Sequence, residues 1–238
     1  MEHNDAFLRN RMLLGDAAVA RLAEAHVAVL GLGGVGGYAA EALARAGVGA
    51  LTAADHDTVG AANLNRQMCA LHSTLGMAKA EAALARLTDI NPALRARALS
   101  LRYTAETRED FFDLPYDYII DAIDLVTHKL DVIETALTRG LSIVSALGTG
   151  NKLDPALLRI TDIAETQICP LARVVRKELR HRGIRHHTVL WSPEEPRAPE
   201  PMEAPPEGRR SVPASVPWVP ACAGFMLAGF VVRQLTGV

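Results

Sequence analysis

The chain is poor in cysteine. Its 238 residues include three cysteines, Cys69, Cys169 and Cys222, which lie far apart and form no CxxC pair. Such spacing argues against a disulfide framework and against a thiolate zinc site. It is typical of a protein that works in the reducing cytoplasm, and it leaves the roles of Cys169 and Cys222 open.

The chain also lacks an excess of positive charge and an uninterrupted apolar segment. Its net charge is -2, so a polyanionic partner would need a local basic patch. The first five residues show neither the basic region nor the apolar run of a signal peptide. The apolar stretch 216–232 contains Pro217 and Pro220 and is short for a membrane span, which predicts a core or docking helix and no integral membrane segment. Peripheral membrane association stays open.

A glycine-rich turn between an apolar strand and a helix is the strongest pattern that is present. The strand is predicted over 27–30 and the helix over 38–46. Gly31, Gly33 and Gly36 between them have the GxGxxG spacing, and Gly34 adds to the turn. Backbone N–H groups at the start of such a helix bind phosphates. The pattern therefore predicts a nucleotide site, and a plain tight turn is the alternative.

Strands alternate with helices after this turn. Predicted strands cover 27–30, 50–54, 93–101, 116–124, 141–146, 157–161 and 188–191, and predicted helices cover 7–22, 38–46, 77–87, 104–112, 126–139, 171–181 and 221–235. The alternation predicts an α/β fold with a Rossmann-like, doubly wound, mainly parallel sheet. We expect a single domain over 1–238, made of a helical segment 1–25, a nucleotide-binding core 26–150 and an extension 151–238.

A proline-rich segment interrupts the extension. Nine of the thirteen prolines fall within residues 192–220, together with several glutamates. Such a composition does not favour regular hydrogen-bonded structure. The segment is therefore predicted to be a mobile surface loop on the substrate side, poorly ordered without RNA.

Charged residues near the expected carboxyl edge of the sheet favour ATP over NAD. Asp55 lies 19 residues after Gly36, where an acid can accept hydrogen bonds from ribose hydroxyls. Arg66 and Lys79 can offset triphosphate charge, and Asp124 can hold Mg²⁺. Taken alone, Lys79 could be a solvated helix residue and Asp124 could be a helix cap, but together the charged residues favour ATP.

Several motifs carry a specific resemblance. They are GLGGVGG at 31–37, AADHDTV at 53–59, NLNRQ at 63–67, TLGMAK at 74–79, INP at 90–92 and DYIIDAID at 117–124. With them the chain resembles the ThiF-type adenylating enzymes related to ubiquitin activation. Within that superfamily, residues 151–155, 160–184 and 216–225 most resemble the tRNA threonylcarbamoyladenosine dehydratases.

The resemblance implies roles for individual residues. The glycine-rich turn 31–37, called the cradle below, would hold phosphates, and Asp55 would hold the ribose. Asn63 and Arg66 would contact the triphosphate, Lys79 would stabilise the charge on the α-phosphate, and Asp124 would organise the Mg²⁺. The nucleotide site would comprise Gly31, Gly33, Gly34, Gly36, Asp55, Asp57, Asn63, Asn65, Arg66, Lys79 and Asp124. Members of the superfamily are usually homodimers in which an N-terminal arginine reaches the partner's ATP. Arg9 fits that role best, and Arg11 is the reserve.

Two features bear on the substrate. Activators of sulfur carrier proteins generally have paired CxxC ligands, which this chain lacks. A basic helix and turn offer candidate contacts to tRNA in Arg173, Arg176, Lys177, Arg180, Arg182 and Arg185. The expected substrate is tRNA carrying threonylcarbamoyladenosine, with ATP and Mg²⁺. Adenylation of a ubiquitin-like sulfur carrier, with a sulfur-transfer partner protein, is the first alternative, and an NAD-dependent oxidoreductase or nucleotide sensor is the second.

Overall fold

A computed structural model describes residues 6–200, 202 and 213–238. Its seven strands are β1 His26–Leu30, β2 Ala50–Ala54, β3 Arg95–Leu99, β4 Tyr118–Asp121, β5 Ile143–Ala146, β6 Arg159–Asp162 and β7 Thr188–Trp191. Its eight α-helices are α1 Leu8–Leu14, α2 Asp16–Glu24, α3 Gly36–Ala46, α4 Lys79–Ile90, α5 Arg108–Phe111, α6 Val126–Thr138, α7 Pro170–His181 and α8 Trp218–Thr236. These counts refer to the described residues.

The strands form one sheet in the order β3-β2-β1-β4-β5-β7-β6. All neighbouring pairs are parallel except β6 and β7, which are antiparallel. The predicted α/β, doubly wound and mainly parallel architecture is therefore confirmed. The strand order reverses between β1 and β4, and in open parallel sheets ligands bind at such a reversal, beyond the carboxyl ends of the strands.

Alternate side chains of the strands supply the two hydrophobic cores. Val27 and Val29 of β1 face a core that includes α3, α4 and α8, whereas Ala28 and Leu30 face a core that includes α6 and α7. Burial on both faces requires strands that are apolar throughout. The β2 strand satisfies this requirement because all five of its residues are buried.

The structure differs from the sequence-based prediction at both ends of the chain. The single helix expected over 7–22 is two helices, because Gly15 lies between them with a φ of 85°, outside the helical region. The last helix begins at Trp218 rather than at 221, since Pro220 falls in its first turn, where a proline costs no hydrogen bond. Residues 218–220 are thus helical and not part of the proline-rich loop.

The predicted strands at 93–101 and 116–124 are shorter in the structure, spanning Arg95–Leu99 and Tyr118–Asp121. Within the proline-rich loop, residues 201 and 203–212 lie outside the described residues. The structure therefore does not test the expectation that they are poorly ordered. The described end at 214 is held to residue 151, since the Ala214 N–H donates to Asn151 Oδ1 at 2.7 Å.

The apolar helix α8 packs inside the fold over much of its length. Among the described residues it is the one helix long and apolar enough to cross a membrane, and half of its apolar stretch is buried. Its main partner is α3, where a Cβ on Gly224 would lie 2.3 Å from the carbonyl oxygen of Val35. The helix therefore occupies a core position against the nucleotide-binding half of the sheet.

Candidate active site

The glycine-rich turn closes tightly over the end of β1. Gly31 has a φ of 92°, and a Cβ there would lie 2.8 Å from the carbonyl oxygen of Ala122. A Cβ on Gly36 would lie 1.8 Å from the carbonyl oxygen of Gly31, so neither position tolerates a side chain. By contrast, a Cβ on Gly33 would touch one atom within 4 Å, the Gln67 Nε2. The turn is thus compact below and open at Gly33, next to the first N–H groups of α3.

Asp55 fixes this turn to the end of β2. Its side chain is 8% exposed, and its Oδ2 accepts a hydrogen bond of 2.7 Å from the Leu32 N–H. Its Oδ1 accepts from the Asp57 N–H at 2.8 Å. The structure therefore brings Asp55 against the cradle, the place at which sequence analysis expects the ribose contact.

Lys79 begins α4 and is 5% exposed. Its ammonium Nζ lies 2.8 Å from Oδ2 of Asp57. Burial alone would raise the pKa of Asp57, but the hydrogen bond and the charge of Lys79 outweigh it and hold that pKa below its usual value. A cation at a helix N-terminus opposes the helix dipole. A buried lysine in that unfavourable position indicates a task other than helix stability.

Arg66 is half-buried and anchored by its neighbours. One guanidinium nitrogen donates to the Ala62 carbonyl at 2.7 Å and to Asn65 Oδ1 at 2.8 Å. Asn65 Nδ2 in turn donates to the Ser215 carbonyl at 3.0 Å, and Asn63 Oδ1 accepts from the Gly60 N–H at 2.9 Å. The asparagines of the NLNRQ motif thus shape the loop that presents Arg66.

Gln67 is a site residue that sequence analysis did not single out. It is 8% exposed, lies beside Gly33, and its buried Oε1 has no hydrogen-bond partner among the described residues. An unsatisfied buried amide usually marks a ligand or a water. The sequence offered one indication of this role, which is that Gln67 belongs to the NLNRQ motif. A polar ligand beside Gly33 fits this cradle.

Asp124 follows β4 by three residues and is exposed. The turn that carries it touches the cradle, because the Ala122 carbonyl lies where a Cβ of Gly31 would be. Asp121, at the end of β4, accepts from the Ile123 N–H at 3.0 Å and shapes this turn. Asp124 therefore stands at the same edge of the sheet as the glycine-rich turn.

Oxygen donors predominate near this edge. Asp55, His56 and Asp57 form a group whose ligand atoms lie within 4.8 Å of one another. Carboxylates are the donors that Mg²⁺ prefers, usually together with phosphate oxygens and water. Asp124, an exposed carboxylate at the same edge of the sheet, offers an oxygen donor of the kind that suits a magnesium ion bound together with a nucleotide.

The other predicted residues lie on the surface. Arg9 is exposed on α1, and Arg11 pairs with Asp16 at 3.3 Å. Helix α1 buries none of its residues, while Met12 and Leu13 are 70% and 84% exposed. Arg9 thus belongs to a helix with an uncovered apolar side.

Two of the cations expected in the basic helix α7 and in the turn after it are tied to other elements of the fold. Arg176 donates to the carbonyl and hydroxyl oxygens of Thr166, and Arg182 is ion-paired with Glu134. Arg182 is exposed in spite of this pair, and so are the remaining candidates, Arg173, Lys177, Arg180 and Arg185. Two of the six residues therefore serve tertiary contacts, because Thr166 and Glu134 approach from other elements.

The three cysteines are free thiols. Cys69 and Cys169 are buried, and Cys222 is half-buried in α8. Burial raises the pKa of the Cys69 thiol, which disfavours its nucleophilic thiolate form. The geometry therefore gives Cys69 no exposed, activated thiolate.

The Rossmann-like fold, with a glycine-rich turn at the reversal of the strand order, defines an α/β protein of the nucleotide-binding class. The model of the ThiF family matches residues 7–236, and the chain belongs to that family.

Similar proteins of known name extend this finding. The chain is 41% identical to the tRNA threonylcarbamoyladenosine dehydratase of Bacillus subtilis, over 96% of this chain and 94% of that relative. It is 40% identical to the enzyme of the same name from Escherichia coli, over 71% of this chain and 63% of that relative. The crystal structure of the E. coli dehydratase in complex with ATP has a TM-score of 0.88 and 32% identity, covering 98% of this chain and 94% of that one.

Proposed function

We propose that the protein is an ATP-dependent dehydratase that cyclises threonylcarbamoyladenosine next to the anticodon of tRNA. The strongest support is the buried Lys79 ammonium at the start of α4, close to Asp55 and Asp57 beside an open cradle. A dinucleotide site needs glycines and one acid. Phosphoryl chemistry needs cations in addition, and Lys79 and Arg66 supply them. The relatives named for this reaction, one of them solved with ATP, support the same substrate.

The first step would be attack by the free carboxylate of the modified nucleoside on the α-phosphorus of ATP. A new carboxyl oxygen–phosphorus bond forms, the α–β phosphoanhydride bond breaks, and pyrophosphate leaves. The cradle would align the phosphates, and Lys79 and Arg66 would stabilise the charge that develops on the α-phosphate. Asp55 would hold the ribose, with Asp57 and the asparagines 63 and 65 keeping the surrounding loops in place.

The second step would need no nucleophile from the enzyme. The carbamoyl oxygen attacks the activated carbonyl, the ring closes with loss of the carbamoyl proton, and AMP leaves with the original carboxyl oxygen. The nucleoside thereby loses one water. Asp124 would hold the Mg²⁺ that accompanies ATP, and this ion would supply additional positive charge to the phosphates.

Neither cysteine of the extension has a task in this scheme. We therefore expect Cys169→Ser and Cys222→Ser variants to retain nucleoside turnover within about threefold of wild type, since a serine at a half-buried or buried thiol mainly costs stability. Turnover is measured at a temperature where each variant is folded by circular dichroism. Loss of turnover in a folded Cys169→Ser variant would assign the thiol to the chemistry.

The exposed cations of α7 would contact tRNA phosphates, and α1 would contribute to a homodimer. Lys177 and Arg180 are exposed and provide a local basic surface on a chain of net charge -2. Helix α1 carries Arg9 together with its uncovered apolar residues, so self-association would both bury them and bring Arg9 to the partner's ATP. Free thiols are typical of proteins in the reducing cytoplasm, and we propose a cytoplasmic location because all three cysteines are free.

The decisive experiment is mass spectrometry of nucleosides from tRNA that carries threonylcarbamoyladenosine. The tRNA is incubated with the protein, Mg²⁺ and ATP, with omission of ATP and an Arg66→Ala variant as controls. We expect loss of one water from the modified nucleoside only with ATP and only with wild-type protein. An unchanged nucleoside under conditions where ATP demonstrably binds would overturn the substrate, and adenylation of a ubiquitin-like sulfur carrier would then be assayed.

A further inference from the structure

A fully buried ion pair lies directly beneath the turn that carries Asp124. Lys129 of α6 places its Nζ 2.6 Å from Oδ2 of Asp121, and neither side chain exposes any surface. The other carboxylate oxygen of Asp121 accepts from the Ile123 N–H at 3.0 Å. One carboxylate thus joins a helix to the backbone of the turn between β4 and α6.

Two further polar side chains extend this cluster across the sheet. Ser145 pairs in register with Asp121 on the neighbouring strand, and its hydroxyl lies 2.8 Å from Nε2 of His187. His187 is 4% exposed and precedes β7. Burial, with a smaller effect from the nearby charge of Lys129, lowers the pKa of His187 to about 3, so this imidazole is neutral at pH 7. Lys129 is therefore the cation that balances Asp121.

A buried ion pair is a costly way to stabilise a fold. Removing two charges from water offsets most of their attraction, and apolar residues of similar volume often serve as well. Lys129 also occupies an otherwise apolar helix face, between Val126 and the buried residues Leu130 and Ile133. The location of the pair suggests a positional task, because the turn that it fixes presses the Ala122 carbonyl against Gly31.

We propose that Lys129 and Asp121 are positioning residues that hold the turn 122–124 so that Asp124 faces the metal bound with ATP. This inference rests on the proposed role of Asp124 and adds the element that orients it. Lys129 acts through Asp121 and the Ile123 N–H, without touching the nucleotide.

The test compares how much Mg²⁺ tightens ATP binding. The dissociation constant of ATP is measured by isothermal titration calorimetry in Mg²⁺ and in EDTA for three proteins: wild type, Asp124→Asn, and the double variant Asp121→Asn with Lys129→Met. The double variant removes both charges together, keeps an oxygen acceptor for the Ile123 N–H, and leaves no unpaired buried charge. Urea unfolding of each protein reports stability separately.

For wild type we expect Mg²⁺ to tighten ATP binding at least tenfold. The double variant and Asp124→Asn should both lose most of this factor, which compares the affinity of each protein in Mg²⁺ with its own affinity in EDTA and therefore does not depend on changes in the cradle itself. If Asp124→Asn loses the factor and a folded double variant keeps it, the positioning role is wrong and the pair is structural. If Asp124→Asn keeps the factor, the metal role of Asp124 fails, and the positioning inference fails with it. The nucleoside assay tests the dehydratase reaction independently of either result.

Discussion

Acid should destabilise the fold through His187 well before the carboxylates titrate. Burial is the main cause of its low pKa, about 3 against an ordinary value of 6.5. The unfolded chain therefore binds a proton at this histidine more tightly than the folded chain does. Its contribution to stability is complete above pH 6.5 and is lost as the pH falls below that value.

The size of the effect follows from the two pKa values. Each pKa unit corresponds to about 1.4 kcal/mol, so the full difference is worth about 5 kcal/mol at a pH below both values. Between pH 7 and pH 5 the free energy of unfolding should fall by about 2 kcal/mol from this group. The pKa values of His26 and His128 are also lowered, with burial the largest cause, and they add a loss in the same direction. A variant of His187 isolates its share.

The assay is urea unfolding at pH 7 and pH 5, at one protein concentration, because self-association would add to the apparent stability. His187→Gln keeps a polar partner for Ser145 and removes the titrating group. This variant should lose about 2 kcal/mol less than wild type over the interval. His186→Gln is the matched control, since the adjacent imidazole is exposed beside Asp162. Equal losses in wild type and His187→Gln would refute the reasoning.

Two further predictions concern the proposed assembly and the proposed RNA surface. If Arg9 completes the partner's site, mixing and refolding inactive Arg9→Ala and Lys79→Ala chains should restore about a quarter of wild-type turnover, because half of the dimers are mixed and each has one intact site. No recovery in verified mixed dimers would place Arg9 elsewhere. A Lys177→Ala, Arg180→Ala double variant should weaken tRNA binding and reduce its salt slope by about two, whereas Arg182→Ala, whose side chain pairs with Glu134, should change that slope less. An unchanged slope in the double variant contradicts phosphate contact on this face.

The parallel sheet could be predicted because apolar strands alternate with helices again and again along the chain. The strand β2 is wholly buried and its apolar run is unambiguous, so its bounds at 50 and 54 agree with the prediction. The ends of helices depend on single residues. Gly15 breaks an otherwise continuous helical pattern, and Pro220 is compatible with the first turn of a helix. Neither effect is visible in hydrophobic periodicity.

The site residues that belong to motifs could be found from the sequence, whereas the ion pairs and contacts that they make with distant residues could not. Lys79 stands out in the TLGMAK motif, but its ion pair with Asp57 spans 22 residues and depends on how α4 meets the sheet. Lys129 gives a weaker signal, since it is a charge on a helix face that is otherwise apolar. That signal predicts a buried partner without identifying it. The contacts of Arg176 and Arg182 likewise depend on residues of other elements, Thr166 and Glu134.

The start of the C-terminal helix packs against the glycine-rich turn, although the two segments are far apart in the chain. Pro220 in the first turn of α8 lies against Gly34, with its Cβ 3.1 Å from where a Cβ of that glycine would be. The Trp218 indole Nε1 donates to the Leu153 carbonyl at 2.7 Å. The start of α8 is therefore braced between the cradle and the residues that precede β6. This bracing fixes the start of α8 relative to the turn that, in the proposed function, aligns the phosphates for attack by the carboxylate.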